Sequence, residues 1–471
     1  MSKESLKKGM LIVLLANIVN LSISLLRGFL FPRYLSINTY AEIKTYQLYL
    51  SYLGVGSLGF VDGMYLKYGG IKVDEIDPYD FNTNLSTMRL FQLCLAFTVI
   101  VLAALWGDYL LFCLGFSLFF QNMIDYYKMF YQATGEFSHY SNIMNVSAVG
   151  TLLVCIILLF VVKEESPRPY IFSMVCVSGV VWALLEFIMQ RRMKTYRFFF
   201  KFSLPELKYC ISTGFVLMFG VLLSTLMMGM DRWCVKLWMT TYDFALYSFA
   251  ASMVGFLSYG ITPVSVTLYN FFCNNEGTEK LNEIRKVIVL FVTTIVACAF
   301  PIKLIIELLL SKYASSISII FILFASQVVY GLITCFYVNL YKAQKKQRNY
   351  FMGVVVVCIT GLLLNVVSFF LLFKRIEMFS LATLLAGFVW LVICNIHFPD
   401  NAITKNELLY ILCSITMFIV LGVACNSIVG CILYFVGLFL FSMLFMRGAF
   451  FSALGYIKRN CDGKKRRIGR N

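Results

Sequence analysis

Apolar stretches of about twenty residues recur from Met10 to Phe445, separated by short polar connections. A helix of that length rises about 30 Å, the thickness of the hydrocarbon core of a bilayer. The pattern predicts about fourteen membrane-spanning helices, near 10–31, 40–65, 85–106, 109–134, 140–162, 169–189, 211–237, 242–269, 287–310, 316–341, 350–373, 378–398, 408–424 and 428–446. The second and fourth are the least purely apolar, and the last two carry no charge until Arg447. The expected fold class is therefore an all-α polytopic membrane protein, with little chain left over for a soluble catalytic domain.

Charge orients this array. Charged residues are only 14% of the chain, against roughly 25% in soluble domains. With the N-terminus inside, the inner segments hold 26 Lys and Arg, and the outer loops hold six (Arg33, Lys163, Arg168, Lys312, Lys374 and Arg375). That asymmetry predicts an even number of spans with both termini in the cytoplasm. The net charge of +16 is thus a topology signal, and no nucleic-acid partner is expected. Lys3, Lys7 and Lys8 before an apolar run imitate a signal peptide. No small-residue cleavage site follows, so the run reads as a retained first helix.

The longest basic connection, between Arg191 and Lys208, divides the first twelve spans into two sets of six. The expected organisation is a six-helix bundle over 1–200, a second over 201–400, two extra helices over 401–446 and a basic cytoplasmic tail over 447–471 that touches anionic membrane lipid. The two sets begin alike. Leu35 is followed five residues on by Tyr40, and Leu237 by Tyr242, with Tyr46 and Tyr247 in similar later places. Two such halves would be parallel repeats about an axis along the membrane normal.

Polar residues inside the spans carry the candidate chemistry, because an ionisable group there costs roughly 2.5–3.5 kcal/mol unless it finds a partner or a cavity. Arg27 sits deep in the first helix, with Asn17, Asn20 and Ser24 at helical spacings before it, a polar stripe fit to line a wet cavity. Asp231, Arg232 and Lys236 occupy the outer end of the seventh span, beside Trp233 and Trp238. Asp125 and Lys128 lie three apart on the fourth span, Lys303 and Glu307 four apart on the ninth, and both couples are spaced to pair. Arg89, Glu186 and Arg447 lie near helix ends and read as snorkelling residues. Asp62 follows the glycine-rich GVGSLGF, a helix-packing signal. The candidate substrate-binding residues are Arg27, Arg232, Lys236, Lys128, Asn20 and Ser24; Asp62, Asp125 and Asp231 are candidates for coupling to sodium or protons.

Fifteen cysteines, mostly inside apolar runs and without a Cys-x-x-Cys pair, read as small packing residues, and with two histidines no metal site is expected. The chain has no G-x-S-x-G, Walker or H-E-x-x-H motif. No cofactor and no enzymatic activity are expected.

The chain resembles the O-antigen and capsule polysaccharide flippases, of the superfamily that also contains the multidrug and toxin extrusion transporters. The resemblance rests on LLRGFLFPRYLSINTYAEIKTYQ across the first two spans and MMGMDRWCVKLWMTTYDFALYSFA across the seventh and eighth. YGITPVSVTLYN in the eighth, NLYKAQKKQRNYFMG after the tenth and LLLNVVSFFLLF in the eleventh extend it over twelve spans. It implies a flippase of the bacterial inner membrane for polyprenyl-diphosphate-linked oligosaccharide, acting beside a polysaccharide polymerase and a chain-length regulator. Arginine suits a diphosphate because its planar fork makes two parallel hydrogen bonds. Arg27 and Arg232 are accordingly expected in a cationic chamber. Export of two negative charges down an inside-negative potential would gain roughly 4–5 kcal/mol per 100 mV. The competing readings are a drug exporter of the same fold, whose cavity should favour carboxylates and aromatics, and a membrane polymerase or acyltransferase, which needs a large outer loop.

Overall fold

The computed structural model describes residues 3–192, 201–274, 278–371 and 375–451. The basic tail beyond 451 and part of the Arg191–Lys208 connection lie outside them. The described residues are helical almost throughout, and the protein is an all-α polytopic membrane protein. Two compact units divide the chain at Leu226/Met227.

The first unit holds α1 (Lys3–Tyr34), α2 (Ile37–Leu50), α3 (Phe60–Tyr68), α4 (Pro78–Trp106), α5 (Tyr109–Ala133), α6 (Phe137–Ile156), α7 (Pro167–Arg192) and the start of α8 (Leu204–Trp238). The second holds the end of α8, then α9 (Thr241–Gly255), α10 (Ser258–Asn274), α11 (Thr278–Ile295), α12 (Ala299–Leu309), α13 (Ile317–Leu332), α14 (Val338–Ala343), α15 (Gln347–Leu371), α16 (Ile376–His397), α17 (Lys405–Ala424) and α18 (Ser427–Phe445). Among the described residues eleven helices are long and apolar enough to cross a bilayer. The remaining three predicted spans correspond to α1, the interrupted pair α2–α3 and the more polar α5.

Helix ends follow the sequence. Ser36 caps α2 by accepting from the Thr39 amide. Capping boxes open α9 (Thr240 with Asp243) and α17 (Thr404 with Glu407), each satisfying backbone donors that hydrocarbon would leave bare.

Several charges inside the spans are paired. Arg89 and Glu186, read as snorkelling, instead form a buried ion pair between α4 and α7 at 2.8 Å. In the second unit Arg285 grips Glu407 with two bonds of 3.0 Å, and its third arm donates to Asn282 and to the Asn401 carbonyl. Lys303 lies 3.6 Å from Glu307, yet its shorter bonds, 2.8 and 2.6 Å, go to the carbonyls of Gly422 and Cys425 at the end of α17. There an ammonium meets the negative pole of a helix. Helices α11 and α12 together therefore anchor α17 at both of its ends.

The two units repeat one design more fully than their opening tyrosines indicate. Tyr131, Ala133 and Tyr140 at the turn after α5 recur as Tyr341, Ala343 and Tyr350 after α14. The turns match bond for bond: Glu136 N to Tyr131 O at 2.8 Å, Lys346 N to Tyr341 O at 2.9 Å, with Gly135 (φ 76°) and Lys345 (φ 55°) left-handed. Phe172-Ser173, Gly179 and Trp182 likewise recur as Phe379-Ser380, Gly387 and Trp390, with one residue more before the glycine. Gly179 lies under the Phe120 ring and Trp182 beside Phe119; Gly387 lies under Tyr330, which also packs on Trp390.

Replacing Arg89 by Ala would strand Glu186 in the core, a loss of about 3–5 kcal/mol. Thermal unfolding of the detergent-purified protein should show a clearly lowered midpoint, and a double variant, Arg89→Met with Glu186→Leu, should recover most of it. A single Ala variant melting like the wild type would mean the pair is not what holds α4 to α7.

Candidate functional site

Three of the candidate residues come together in the first unit. The glycine-rich run after α2 cannot continue a helix. Gly54 and Gly56 fall in a short 3-10 turn, Leu58 and Gly59 adopt φ of 50° and 86°, and α3 restarts at Phe60. Glycine admits the left-handed region without penalty. The break is held by a relay in which Asn122 donates to Gln92 (2.8 Å) and Gln92 donates to the carbonyl of Gly56 (3.1 Å). Beside it opens a half-open cleft of about 200 Å³, lined by Ser51, Gly54, Ser57, Asp62, Asn122, Asp125, Lys128 and Thr225, with Val55, Met129 and Leu222 among its apolar walls. Asp125 and Lys128 form an ion pair along α5.

The floor of this region is a backbone-to-backbone crossing. A Cβ on Gly214 would lie 2.0 Å from the Gly59 carbonyl oxygen, and one on Gly63 would lie 2.0 Å from that of Cys210. Small residues four apart on both segments, Gly59/Gly63 and Cys210/Gly214, permit that approach. Below it Lys67 bridges Asp80 (2.8 Å) and Glu206 (2.6 Å), Asn84 also donates to Glu206, and Tyr68 donates to Asp80. Burial works against the Lys67 ammonium, but the two carboxylates outweigh it and hold its pKa above the ordinary lysine range.

The second unit contains a different site. Asp231 is buried, with one carboxylate oxygen accepting from Tyr247 Oη (2.6 Å) and Thr383 Oγ1 (3.0 Å) and the other from the Arg232 amide (2.7 Å). It borders a void of about 10 Å³ shared with Tyr330, Gly361, Asn365 and Thr383. Asn365 is buried; its amide nitrogen donates to the Gly361 carbonyl at 2.7 Å, while its Oδ1 has no partner. One carboxylate, the hydroxyls of Thr383 and Tyr330 and an unpaired amide oxygen around a space for a single small particle suit a desolvated monovalent cation or one water.

None of the other candidates is among the residues that line either cavity. Asn20 donates to Asn145 on α6 at 2.8 Å, and Ser24 and Arg27 are half-buried on the same helix. Arg232 is half-buried, and Lys236 sits 5.0 Å from the centre of the Phe244 ring. Asn122, Gln92, Tyr247, Asn365 and Thr383 escaped the sequence reading. Neutral polar residues in apolar helices carry a weak signal, although Tyr247 stood in the repeat and Asn365 in the LLLNVV stretch.

No family model matches the chain, and no curated protein matches it in sequence. Solved structures do share its fold. The inward closed conformation of the lipid II flippase MurJ superposes with a TM-score of 0.67 at 15% identity, covering 93% of this chain and 98% of that one. A point mutant of the Vibrio cholerae MATE transporter VcmN gives 0.50 at 13% identity, covering 84% and 97%. The chain therefore shares the fold of these two membrane proteins.

The crossing beneath the cleft leaves no room for a methyl group. Gly214→Ala should sharply lower folded yield and melting temperature, whereas Gly220→Ala on the same helix, where a Cβ meets nothing within 4 Å, should leave both near wild type. Equal behaviour of the two variants in size-exclusion and melting assays would remove the crossing as a constraint.

Proposed function

We propose that the protein is a flippase that moves polyprenyl-diphosphate-linked oligosaccharide across the bacterial inner membrane by alternating access, for O-antigen, capsule or exopolysaccharide synthesis. The observation that carries the reading is the match, over nearly the whole of both chains, to a flippase of a lipid-linked substrate. The chemistry is consistent with it. A diphosphate with several sugars cannot cross hydrocarbon unaided, because nothing there replaces its hydrogen bonds to water. In this reading Arg27, Arg232 and Lys236 supply the positive charge for the diphosphate, with Asn20 and Ser24 beside Arg27. The prenyl chain stays in lipid, and both termini face the cytoplasm.

Asp231 is the natural coupling group. A bound cation would neutralise its carboxylate and fill the unmet valence of Asn365; without one, the Asn365 oxygen stays unpartnered and the Asp231 carboxylate rests on its three hydrogen bonds. Binding would therefore favour whichever conformation closes that void. Sodium fits the oxygen donor set, and a proton on Asp231 would serve the same end. The polymerase and the chain-length regulator are the expected functional neighbours.

A second reading, export of cationic drugs, is favoured by one specific feature: two of the three charges in the first-unit cleft are carboxylates. Uptake of ethidium into inverted vesicles, set against flipping of lipid-linked sugar, separates the two.

Arg27→Ala and Arg232→Ala should each reduce surface polysaccharide severely at normal membrane expression, with the Lys variants retaining more, since a point charge replaces the bidentate fork. Normal polysaccharide in both Ala variants would remove these residues from the mechanism. For coupling, Asp231→Asn should abolish any acceleration of flipping in proteoliposomes by a sodium or proton gradient. A variant that keeps the wild-type gradient dependence would exclude Asp231.

A further inference from the structure

The first-unit cleft is not built for a diphosphate. Its serine and threonine hydroxyls donate back to the backbone of their own segments: Ser51 to Leu48 O at 2.6 Å, Ser57 to Gly54 O at 2.8 Å and Thr225 to Val221 O at 2.9 Å. Asn122 donates one amide proton to Gln92 at 2.8 Å. Each of these groups is left with acceptor lone pairs. Asp62 and Asp125 are acceptors by nature, and the Lys128 ammonium is engaged by Asp125. The cleft is therefore acceptor-rich and carries one negative charge in excess. A phosphate, itself an acceptor and an anion, meets there only the N–H groups that Lys128 and Asn122 have to spare, against two carboxylates. A ligand that donates through several closely spaced O–H or N–H groups finds a partner for each.

Size narrows the ligand. About 200 Å³ falls below the roughly 300–1,000 Å³ of drug-sized sites, and holds a single ring rather than a chain. The walls combine those acceptors with the flat ring of Tyr52 and the side chains of Val55, Val61, Met129, Val221 and Leu222. Such a wall suits a ring with polar edges and C–H faces.

We propose that this cleft is a subsite for one sugar ring of the lipid-linked substrate, a hexose or amino-hexose held through its hydroxyl or amino protons by Asp62, Asp125, Asn122 and the serine oxygens. The subsite rests on the flippase reading and assigns the cleft to the glycan, leaving the diphosphate to the arginines elsewhere. It gives the transporter a means of telling a glycosylated carrier from the bare one. A hydrogen bond to a charged acceptor contributes enough for about a tenfold preference.

The test measures binding to the full-length protein in nanodiscs of two probes: a polyprenyl diphosphate carrying one N-acetylhexosamine, and the same lipid without sugar. Ethidium serves as a third, cationic probe. The wild type should bind the sugar-bearing lipid about tenfold more tightly than the bare one. That ratio should fall to near one in Asp62→Asn and in Gly54→Leu, the latter filling the cleft from a position where a Cβ meets nothing within 4 Å. A wild-type ratio of one, with both lipids bound, overturns the subsite and leaves the flippase reading standing. A ratio unchanged in both variants places the sugar elsewhere and also overturns it. Loss of ethidium binding in Asp62→Asn with the lipid ratio intact reassigns the cleft to organic cations. Failure of the wild type to bind either lipid rejects the flippase reading itself.

Discussion

Hydrocarbon offers no hydrogen bonds, so every polar group carried into it must find its partner within the protein. That requirement organises this molecule. It explains why Arg89 reaches Glu186 across the first unit, why Arg285 binds Glu407, Asn282 and a backbone carbonyl, and why Lys303 closes the carbonyl end of α17. These pairs are what the spans are welded with. They also set off the exceptions: Asn365, beside Asp231, keeps an amide oxygen whose valence no other side chain meets.

Much of the scaffold was legible in the residues. Spans of twenty apolar residues are local quantities that a single chain displays. The break after α2 was visible as GVGSLGF, although its consequence, a cleft beside a backbone crossing, was not. Ion pairs were read poorly for a definite reason. Arg89 and Glu186 are 97 positions apart, and Arg285 and Glu407 are 122 apart; a lone sequence shows only pairs three or four residues apart, such as Asp125 with Lys128. Arg89 and Glu186 each looked like snorkelling residues near a helix end because their partners lay on other helices. The candidate site was legible in part: Asp62, Asp125 and Lys128 stood out as charges, while the neutral groups that shape their surroundings, Asn122, Gln92 and three hydroxyls, did not.

The internal repeat shows how one scaffold can carry two chemistries. Both units keep the glycine-under-aromatic contact and the same left-handed turn, features set by packing and backbone geometry. Around them the polar content differs. In the first unit Gln121 donates to Ser178, one position before Gly179. In the second, Thr383, four positions before Gly387, reaches Asp231. Packing positions tolerate little change because interiors are dense, whereas a polar pair can be exchanged for another if both members remain satisfied. The two units therefore share their architecture and differ in charge.

That difference bears on selectivity. A single strongly cationic pocket would attract any phosphorylated molecule of suitable size, and the bare carrier lipid as readily as the loaded one. Discrimination requires a term that the wrong ligand cannot satisfy. On the proposed reading an acceptor-rich cleft would supply such a term, because a donor-bearing ring can replace the water on its acceptors whereas a bare carrier cannot. On the proposed reading, charge for the diphosphate would give affinity, and hydroxyl recognition would give choice. Separating the two would let each be tuned by substitution without disturbing the other, as the proposed transport of a cell-specific sugar requires.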